Sequence, residues 1–330
     1  MDLLLLATLM SRSKTDHSIK MPKQRKNTIT SRASSINRAL DQIGDKWCLL
    51  IIEELFWGIN TFNALQVATG ASRGVLADRL NWLQTLDCLK KRISKDNVKR
   101  PIYQLTKKSL DLYHSGLMAI LWERKYFTTP VLDQIEFIHT RCGQSMLPVM
   151  SCGACNGSIL FSEVFYRQGP GSSNDVRPIK VRRRSSVSML EGDSSYKNLI
   201  NITGDRWTAN LIALAFHRFR RFDEFHKELP IATNILADRL KFLVHQGIFY
   251  RQPYQNSPIR YEYLLTDKGR DLYPYFLTLL QWGDKWCGTS AGQPMTLFHG
   301  PCGDDLVGNV RCDKCGEELD ASEVVQLKAN

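Results

Sequence analysis

The chain has 330 residues, 43% of them hydrophobic, and carries a net charge of +11 with a pI near 9.2. That length suggests two or more domains, and that apolar content is enough to bury packed cores, which excludes a chain that is disordered throughout. The positive balance favours a polyanionic partner, although charge alone does not separate nucleic acid from a membrane surface. The charge is uneven: residues 35–127 hold 14 Lys and Arg against 9 Asp and Glu, residues 195–287 hold 13 against 9, and residues 288–330 hold 3 against 7.

In chain order, the opening run 2–10 (DLLLLATLM) is too short to span a bilayer and lacks the basic start and small-residue cleavage site of a signal peptide. No membrane partner is expected. Residues 11–34 are polar and basic, so 1–34 reads as a disordered basic tail. Residues 1–20 read as an extension upstream of Met21 and outside the fold.

From residue 35 onward the chain repeats itself. Gly44-Asp45-Lys46-Trp47 matches Gly204-Asp205-Arg206-Trp207, and Leu76-Ala77-Asp78-Arg79-Leu80 matches Leu236-Ala237-Asp238-Arg239-Leu240. Asp111-Leu112-Tyr113 matches Asp271-Leu272-Tyr273, Trp122 matches Trp282, and Ser162-Glu163-Val164 matches Ser322-Glu323-Val324. Every pair is offset by 160, so a duplication is expected. Its expected boundaries are 35–127 and 195–287 for the larger units, 128–164 and 288–330 for the smaller modules after them, and 165–194 for a linker rich in Gly, Ser and Arg.

The second copy is the easier to read. Apolar spacing predicts helices over 196–203, 207–216 and 222–229, the last stopped by Pro230. Thr233 reads as the N-cap of a fourth helix that runs to His245 and ends at Gly247. Strands are expected over 248–252 and 260–265, with a turn between them, and then a long helix over 267–286. In the first copy the fourth helix falls at 72–85 and the wing at 94–101. This order is a winged helix-turn-helix, so the fold class is mainly α with small β wings (α+β), in two units.

The residues then resemble the HxlR family of transcriptional regulators, a branch of the MarR-like winged helices. The resemblance rests on the Gly-Asp-Arg/Lys-Trp blocks, on Arg221-Phe222-Asp223-Glu224-Phe225, on Asn234 through Leu240 and on Arg260 through Gly269. It implies a double-stranded DNA partner, dimerisation through the first and last helices and a palindromic operator. The first copy departs more from the pattern: Gly58-Ile59-Asn60-Thr61-Phe62 replaces the basic lead-in, and Lys108-Ser109 lacks the glycine found at Gly269. Many members sense oxidants through a cysteine before the first helix. Here Ser34, Ser35, Ser194 and Ser195 stand in that region, which argues against sensing of that type.

The N-terminal half of a recognition helix reads base edges in the major groove. The expected DNA-binding residues are therefore Ser72, Arg73 and Gly74 in the first copy, and Thr233 and Asn234 in the second. Arg79 and Arg239 are expected at a phosphate or bracing the helix. In the wings, Lys95, Lys99 and Arg100, and Asn256 and Arg260, are expected on phosphate or in the minor groove, where they position the protein without reading sequence. The two recognition helices differ, so an asymmetric site with unlike half-sites is expected. The function so read is a sequence-specific regulator, with repression the expected mode, acting as a pseudo-dimer within one chain that can self-associate further, in the cytoplasm on the nucleoid. The alternative is a protein-interaction module in which one or both copies have lost DNA binding.

Six of the nine cysteines fall in two identical patterns. His139-x2-Cys142-x9-Cys152-x2-Cys155 recurs as His299-x2-Cys302-x9-Cys312-x2-Cys315. Two closely spaced ligand pairs suit tetrahedral Zn²⁺, and four protein ligands leave no open position, so two structural zinc ions per chain are expected, each in a zinc-ribbon-like module. Redox disulfides are disfavoured by the reducing compartment of a DNA-binding protein. Cys48, Cys88 and Cys287 read as small packed hydrophobes. No phosphate loop, nucleophile elbow or open zinc site is found, so an enzyme is not expected. Tyr113, Trp122, Tyr273, Tyr275 and Trp282 read as core, with the lining of a small-molecule effector pocket as the second reading.

Overall fold

The computed structural model describes residues 28–94, 97–178 and 194–328. Strand β1 (Thr28–Arg32) comes first. The helices α1 (Ser35–Ile43), α2 (Lys46–Phe56), α3 (Phe62–Thr69) and α4 (Arg73–Thr85) follow. The hairpin β2 (Leu89–Ser94) and β3 (Asn97–Leu105), a single turn α5 (Lys107–Leu110) and α6 (Tyr113–Tyr126) complete the first winged unit. Then come α7 (Pro130–Asp133), β4 (Ile135–His139), β5 (Gln144–Ser145), β6 (Pro148–Cys152), a 3-10 turn at Phe161–Glu163, β7 (Val164–Gln168) and β8 (Asn174–Pro178). The second copy contains α8 (Lys197–Thr203), α9 (Arg206–Phe216), α10 (Phe222–Glu228) and α11 (Thr233–His245). Its hairpin is β9 (Phe249–Asn256) and β10 (Ile259–Leu265), followed by α12 (Asp267–Arg270), α13 (Tyr273–Trp286), β11 (Met295–His299), β12 (Gly308–Cys312) and β13 (Val324–Lys328).

Local chemistry accounts for the helix starts. Asp45 caps α2 by accepting from the amides of Trp47 and Cys48, and Asp205 caps α9 through Trp207 and Thr208. These are donors that a first helical turn cannot pair internally. Ser72 caps α4 through the Val75 amide. Its counterpart is Ala232, so α11 starts without a side-chain cap. Thr233, expected as that cap, is instead the first helical residue, because it is residue 232 that holds extended backbone angles. The long helix expected over 267–286 is broken between α12 and α13. Pro274 lies in the first turn of α13, where a missing N–H leaves no bond unmade.

The two copies share one apolar core, which includes Leu40, Ile51 and Leu76 of the first and Leu236, Leu240 and Phe276 of the second. Their helices exchange partners: α1 packs on α9 and α13, α8 packs on α2 and α6, and α6 packs on α13. The contacts are reciprocal. Trp122 donates its indole N–H to the Lys268 carbonyl at 2.9 Å, and Trp282 donates to the Lys108 carbonyl at 2.7 Å. Lys125 pairs with Asp271 and Lys285 with Asp111, each at 2.5 Å.

The strands redraw the expected boundaries. Within the expected tail, β1 pairs with β8 of the expected linker. The start of that linker is ordered too, because β7 pairs with β11. The expected self-contained modules at 128–164 and 288–330 instead interleave: β4 pairs with β13, β6 with β12 and β7 with β11, all antiparallel and all between copies. Five-residue strands have little stability in isolation, and the close approach of α6 and α13 brings matching edges together. The remainder of the tail (1–27), the middle of the linker (179–193) and Lys95 at the wing tip lie outside the described residues. Among the described residues, no helix is long and apolar enough to cross a membrane.

Candidate nucleic-acid interface and metal clusters

In each unit a short bridge joins the wing to the helix-turn-helix. The Tyr103 amide donates to the Asn60 carbonyl at 2.8 Å, and the Tyr263 amide donates to the Arg220 carbonyl at 2.7 Å. Wing and recognition helix are thereby held as one surface. On it, Ser72, Arg73 and Gly74 are exposed at the start of α4, and Thr233 and Asn234 are exposed at the start of α11. The Arg73 guanidinium lies 5.4 Å from the centre of the Phe62 ring, which stiffens a long side chain at the tip of the helix.

Arg79 and Arg239 face inward. Arg79 makes a two-pronged bond to Asp45 at 2.9 and 3.1 Å, and Arg239 reaches Asp205 at 2.9 Å. Of the two expected roles, phosphate contact or bracing, these ion pairs have the geometry of a brace. Each ties its recognition helix to the carboxylate that caps α2 or α9. The hydrogen bond that Arg79 donates to the Asp45 carboxylate holds its guanidinium above its ordinary pKa.

In the first wing Lys99 and Arg100 lie on β3, while Lys90, Lys91 and Arg92 are exposed along β2. Those last three were not among the expected contacts, although the run Lys-Lys-Arg beside the wing was a visible signal. In the second wing Asn256 and Arg260 are exposed. There Arg221 stacks over Tyr254 at 4.3 Å and pairs with Glu262 at 3.1 Å, locking α10 to the hairpin.

The eight expected metal ligands form two clusters, but not the two expected. One contains His139 and Cys142 of the first copy with Cys312 and Cys315 of the second. The other contains Cys152 and Cys155 of the first with His299 and Cys302 of the second. The contiguous quartets read from the sequence are thus exchanged between copies. The strand pairing is the reason: in the β6–β12 ladder Cys152 lies opposite Gly308 and Cys312 opposite Pro148, so the two Cys-x-x-Cys turns sit at opposite ends.

The geometry suits one tetrahedral ion in each cluster. Cys142 and Cys312 sulfurs are 3.9 Å apart, and those of Cys152 and Cys302 are 4.0 Å apart. The His139 Nδ1 lies 3.5 Å from Cys142 and 3.3 Å from Cys315, and the His299 Nδ1 lies 3.4 Å from both Cys155 and Cys302. A tetrahedron with the usual zinc–sulfur and zinc–nitrogen bonds has edges of about 3.6–3.8 Å. None of the nine cysteines is in a disulfide. The His299 Nε2 bonds the Ser158 carbonyl at 3.1 Å, which turns Nδ1 toward the cluster. The two Cys-x-x-Cys turns use Gly316 at φ 76° and, at the equivalent place, Asn156 at φ 58°, a residue that tolerates left-handed backbone. Away from the clusters, Cys48 and Cys88 are buried and Cys287 is half-buried. Burial pushes the Cys88 and Cys287 thiols up to about 11.

Residues missed by the sequence reading lie at the join between copies. Glu53 of α2 accepts from the Ser194 hydroxyl and the Ser195 amide, both at 2.6 Å, just before α8. Glu123 of α6 accepts from the Asn198 side chain at 3.0 Å and the Leu199 amide at 2.6 Å. Burial pushes the Glu53 carboxyl up to about 7 and raises that of Glu123. Tyr113, Trp122, Tyr273, Tyr275 and Trp282 are all buried. Trp122 and Tyr273 also border a cavity of about 380 Å³ between α6, the 159–162 segment and α12.

Fold and surface define a chain of two winged helix-turn-helix units with Cys/His clusters shared between the copies. The HxlR-like helix-turn-helix model matches residues 42–129 and 202–291, more than half of the chain, which therefore belongs to that family. It is 40% identical over 135 residues to the uncharacterized HTH-type transcriptional regulator Rv3095 of Mycobacterium tuberculosis, a match covering 41% of this chain and 85% of that one. It is 32% identical over 92 residues to the HTH-type transcriptional regulator YodB of Bacillus subtilis, covering 28% and 82%. The solved structure of PA1607 aligns with a TM-score of 0.35 at 34% identity, covering 38% of this chain and 89% of that one.

Proposed function

We propose that the chain is a sequence-specific DNA-binding regulator of transcription that presents two unlike recognition helices from one polypeptide. Repression is the proposed mode, by occlusion of a promoter, and the proposed setting is the cytoplasm, on the nucleoid. The observation that carries this reading is the pair of exposed helix starts, Ser72-Arg73-Gly74 and Thr233-Asn234, each beside its own wing in a family unit. The reciprocal packing of α1 on α13 and of α8 on α6 supports a pseudo-dimer. Lys99, Arg100, Asn256 and Arg260 are proposed phosphate or minor-groove contacts, joined by Lys90, Lys91 and Arg92. Zn²⁺, one ion in each Cys/His cluster, is the proposed metal, in a structural role because three thiolates and one imidazole complete its shell. A small-molecule effector, if the chain takes one, has the cavity beside Trp122 as its proposed site.

The test is selection of bound fragments from random DNA, followed by footprinting and a salt titration. Two unlike protected half-sites and steep salt dependence are expected. A perfect palindrome, or protection of one half-site alone, overturns the two-headed reading. One observation favours a protein-binding role for the first unit: the exposed face of α3 carries Asn63, Ala64, Val67 and Ala68 and no charge, with Val67 85% exposed. Protection of only the second unit's half-site would support that reading.

A further inference from the structure

We propose that the two Cys/His clusters form a metal-dependent latch between the copies, and that occupancy of the Cys152–Cys155–His299–Cys302 cluster controls the second reading head. This rests on the metal and DNA readings above and adds regulation to them. Each cluster draws two ligands from each copy, so in this arrangement neither cluster is complete without both copies. Binding an ion and docking the copies are then one equilibrium, because the ligand set exists only in the docked state. The β4–β13, β6–β12 and β7–β11 ladders that flank the clusters are each five residues long and run between copies, so an ion in each cluster would tie that join together.

The path to the second head is a chain of contacts. His299 ends β11, which pairs along β7 with Phe298 opposite Phe165 and Leu297 opposite Tyr166. Just before β7, the Phe161 ring lies 5.1 Å from Phe216 and 5.6 Å from Tyr273. Farther along β7, Tyr166 lies 4.8 Å from His217, edge to face. Phe216 and His217 are the C-terminal end of α9, and α10, the first helix of the helix-turn-helix, begins at Phe222. The β7 segment is therefore a strut from the metal cluster to the second head. The equivalent segment beside the first head lacks these rings: Ala321 stands where the repeat would place the counterpart of Phe161, and Gln326 where it would place that of Tyr166. Emptying the Cys152 cluster should free the second head while the first remains seated.

The experiment uses the full chain loaded with Zn²⁺, ion counting by native mass spectrometry, and binding to a fragment that the loaded chain selects from random DNA. Wild type is expected to hold two ions. The variant His139→Ala/Cys142→Ser/Cys312→Ser/Cys315→Ser, and its mirror Cys152→Ser/Cys155→Ser/His299→Ala/Cys302→Ser, are each expected to keep one. The single-copy variant His139→Ala/Cys142→Ser/Cys152→Ser/Cys155→Ser is expected to keep none. Chelation, or loss of the Cys152 cluster, should weaken binding about tenfold or more as the second contact loses its fixed position, and Zn²⁺ should restore the chelated wild type. Phe161→Ala should keep both ions yet bind the fragment more weakly.

A single-copy variant that keeps one ion, with neither cross-copy variant keeping any, overturns the shared sites. Undiminished DNA binding by the chelated wild type overturns the latch and leaves the DNA reading intact. A wild type that takes up no Zn²⁺ overturns the metal reading itself, and a loaded chain that selects no DNA overturns the DNA reading.

Discussion

The two winged units share a backbone plan and divide their charge differently. Between Gly58 and Ser72 the first head has no Lys or Arg, while its wing strand β2 exposes Lys90, Lys91 and Arg92. The second head reverses this. Arg218, Arg220, Arg221 and Lys227 are exposed around α10, and its wing exposes Tyr250 and Tyr254 beside Arg251 and Arg260. Duplication preserved what positions a recognition helix, namely the aspartate cap, the Arg79 or Arg239 brace and the wing bridge. It released what touches the outside. The join between copies diverged as well: the position of Glu123 in the first copy is Gly283 in the second, and that of Glu53 is Ala213.

That last contrast predicts the largest effect. A side chain at Gly283 would place its Cβ 2.3 Å from the Ser35 carbonyl oxygen, because α13 and α1 meet there backbone to backbone. Gly283→Leu should therefore destabilise the chain by about 3 kcal/mol or more, measured by denaturant unfolding. The equivalent Glu123→Leu instead leaves the Asn198 and Leu199 donors without their partner, and about 1–3 kcal/mol is expected. Equal losses would mean that the two joins are alike after all.

Next in size is a pH effect confined to one join. Burial raises the Glu53 carboxyl from 4.5 to about 7 in the folded chain. A pKa raised by folding means that the folded state binds the proton more tightly. The stability it contributes is then complete below about pH 4.5 and is lost as pH rises through about 7, a change on the order of 3 kcal/mol. Glu53→Gln keeps an acceptor for the Ser195 amide and removes the titration. Its unfolding midpoint should change less than that of wild type between pH 5 and 8. Parallel pH profiles would sink the idea that Glu53 is the group responsible.

Much of this was legible in the chain and some was not, for identifiable reasons. The helix-turn-helix was readable because apolar spacing, Pro230 and the start of the hairpin are all local signals. All eight residues of the two clusters were readable as candidate ligands from their Cys-x-x-Cys and His-x-x-Cys spacing. Their partners were not. The two patterns are identical, so spacing cannot tell a quartet within one copy from one shared by two, and strand pairing far along the chain decides. Glu53 and Glu54 are neighbours in sequence, yet Glu53 is buried and holds the segment just before the other copy's first helix, which nothing local foretells. The roles of Arg79 and Arg239 were left open between phosphate and brace because Asp45 and Asp205 each lie 34 residues away.

The braces allow the third comparison. Arg79 holds Asp45 with two bonds and Arg239 holds Asp205 with one, and both pairs are mostly shielded from water. Arg79→Ala should cost about 1.5–3 kcal/mol, and Arg239→Ala somewhat less, in unfolding experiments. If either arginine served mainly on phosphate, its loss would leave stability unchanged and flatten the salt dependence of DNA binding instead.

The smallest effects separate the heads on DNA. Neutralising Lys90, Lys91 and Arg92 together should reduce the slope of log affinity against log salt by about 3, while Arg220→Ala should reduce it by about 1, each without altering the preferred sequence. Arg73→Ala and Asn234→Ala should leave the slope nearly intact. Each should instead relax sequence preference in its own half-site, by about 1–3 kcal/mol of discrimination where a two-pronged base contact is lost. The division of charge predicts that the first head's affinity depends on its wing and the second's on α10. A first head that loses no affinity without Lys90, Lys91 and Arg92 would leave its uncharged α3 face as the surface to explain, and would favour a protein partner there.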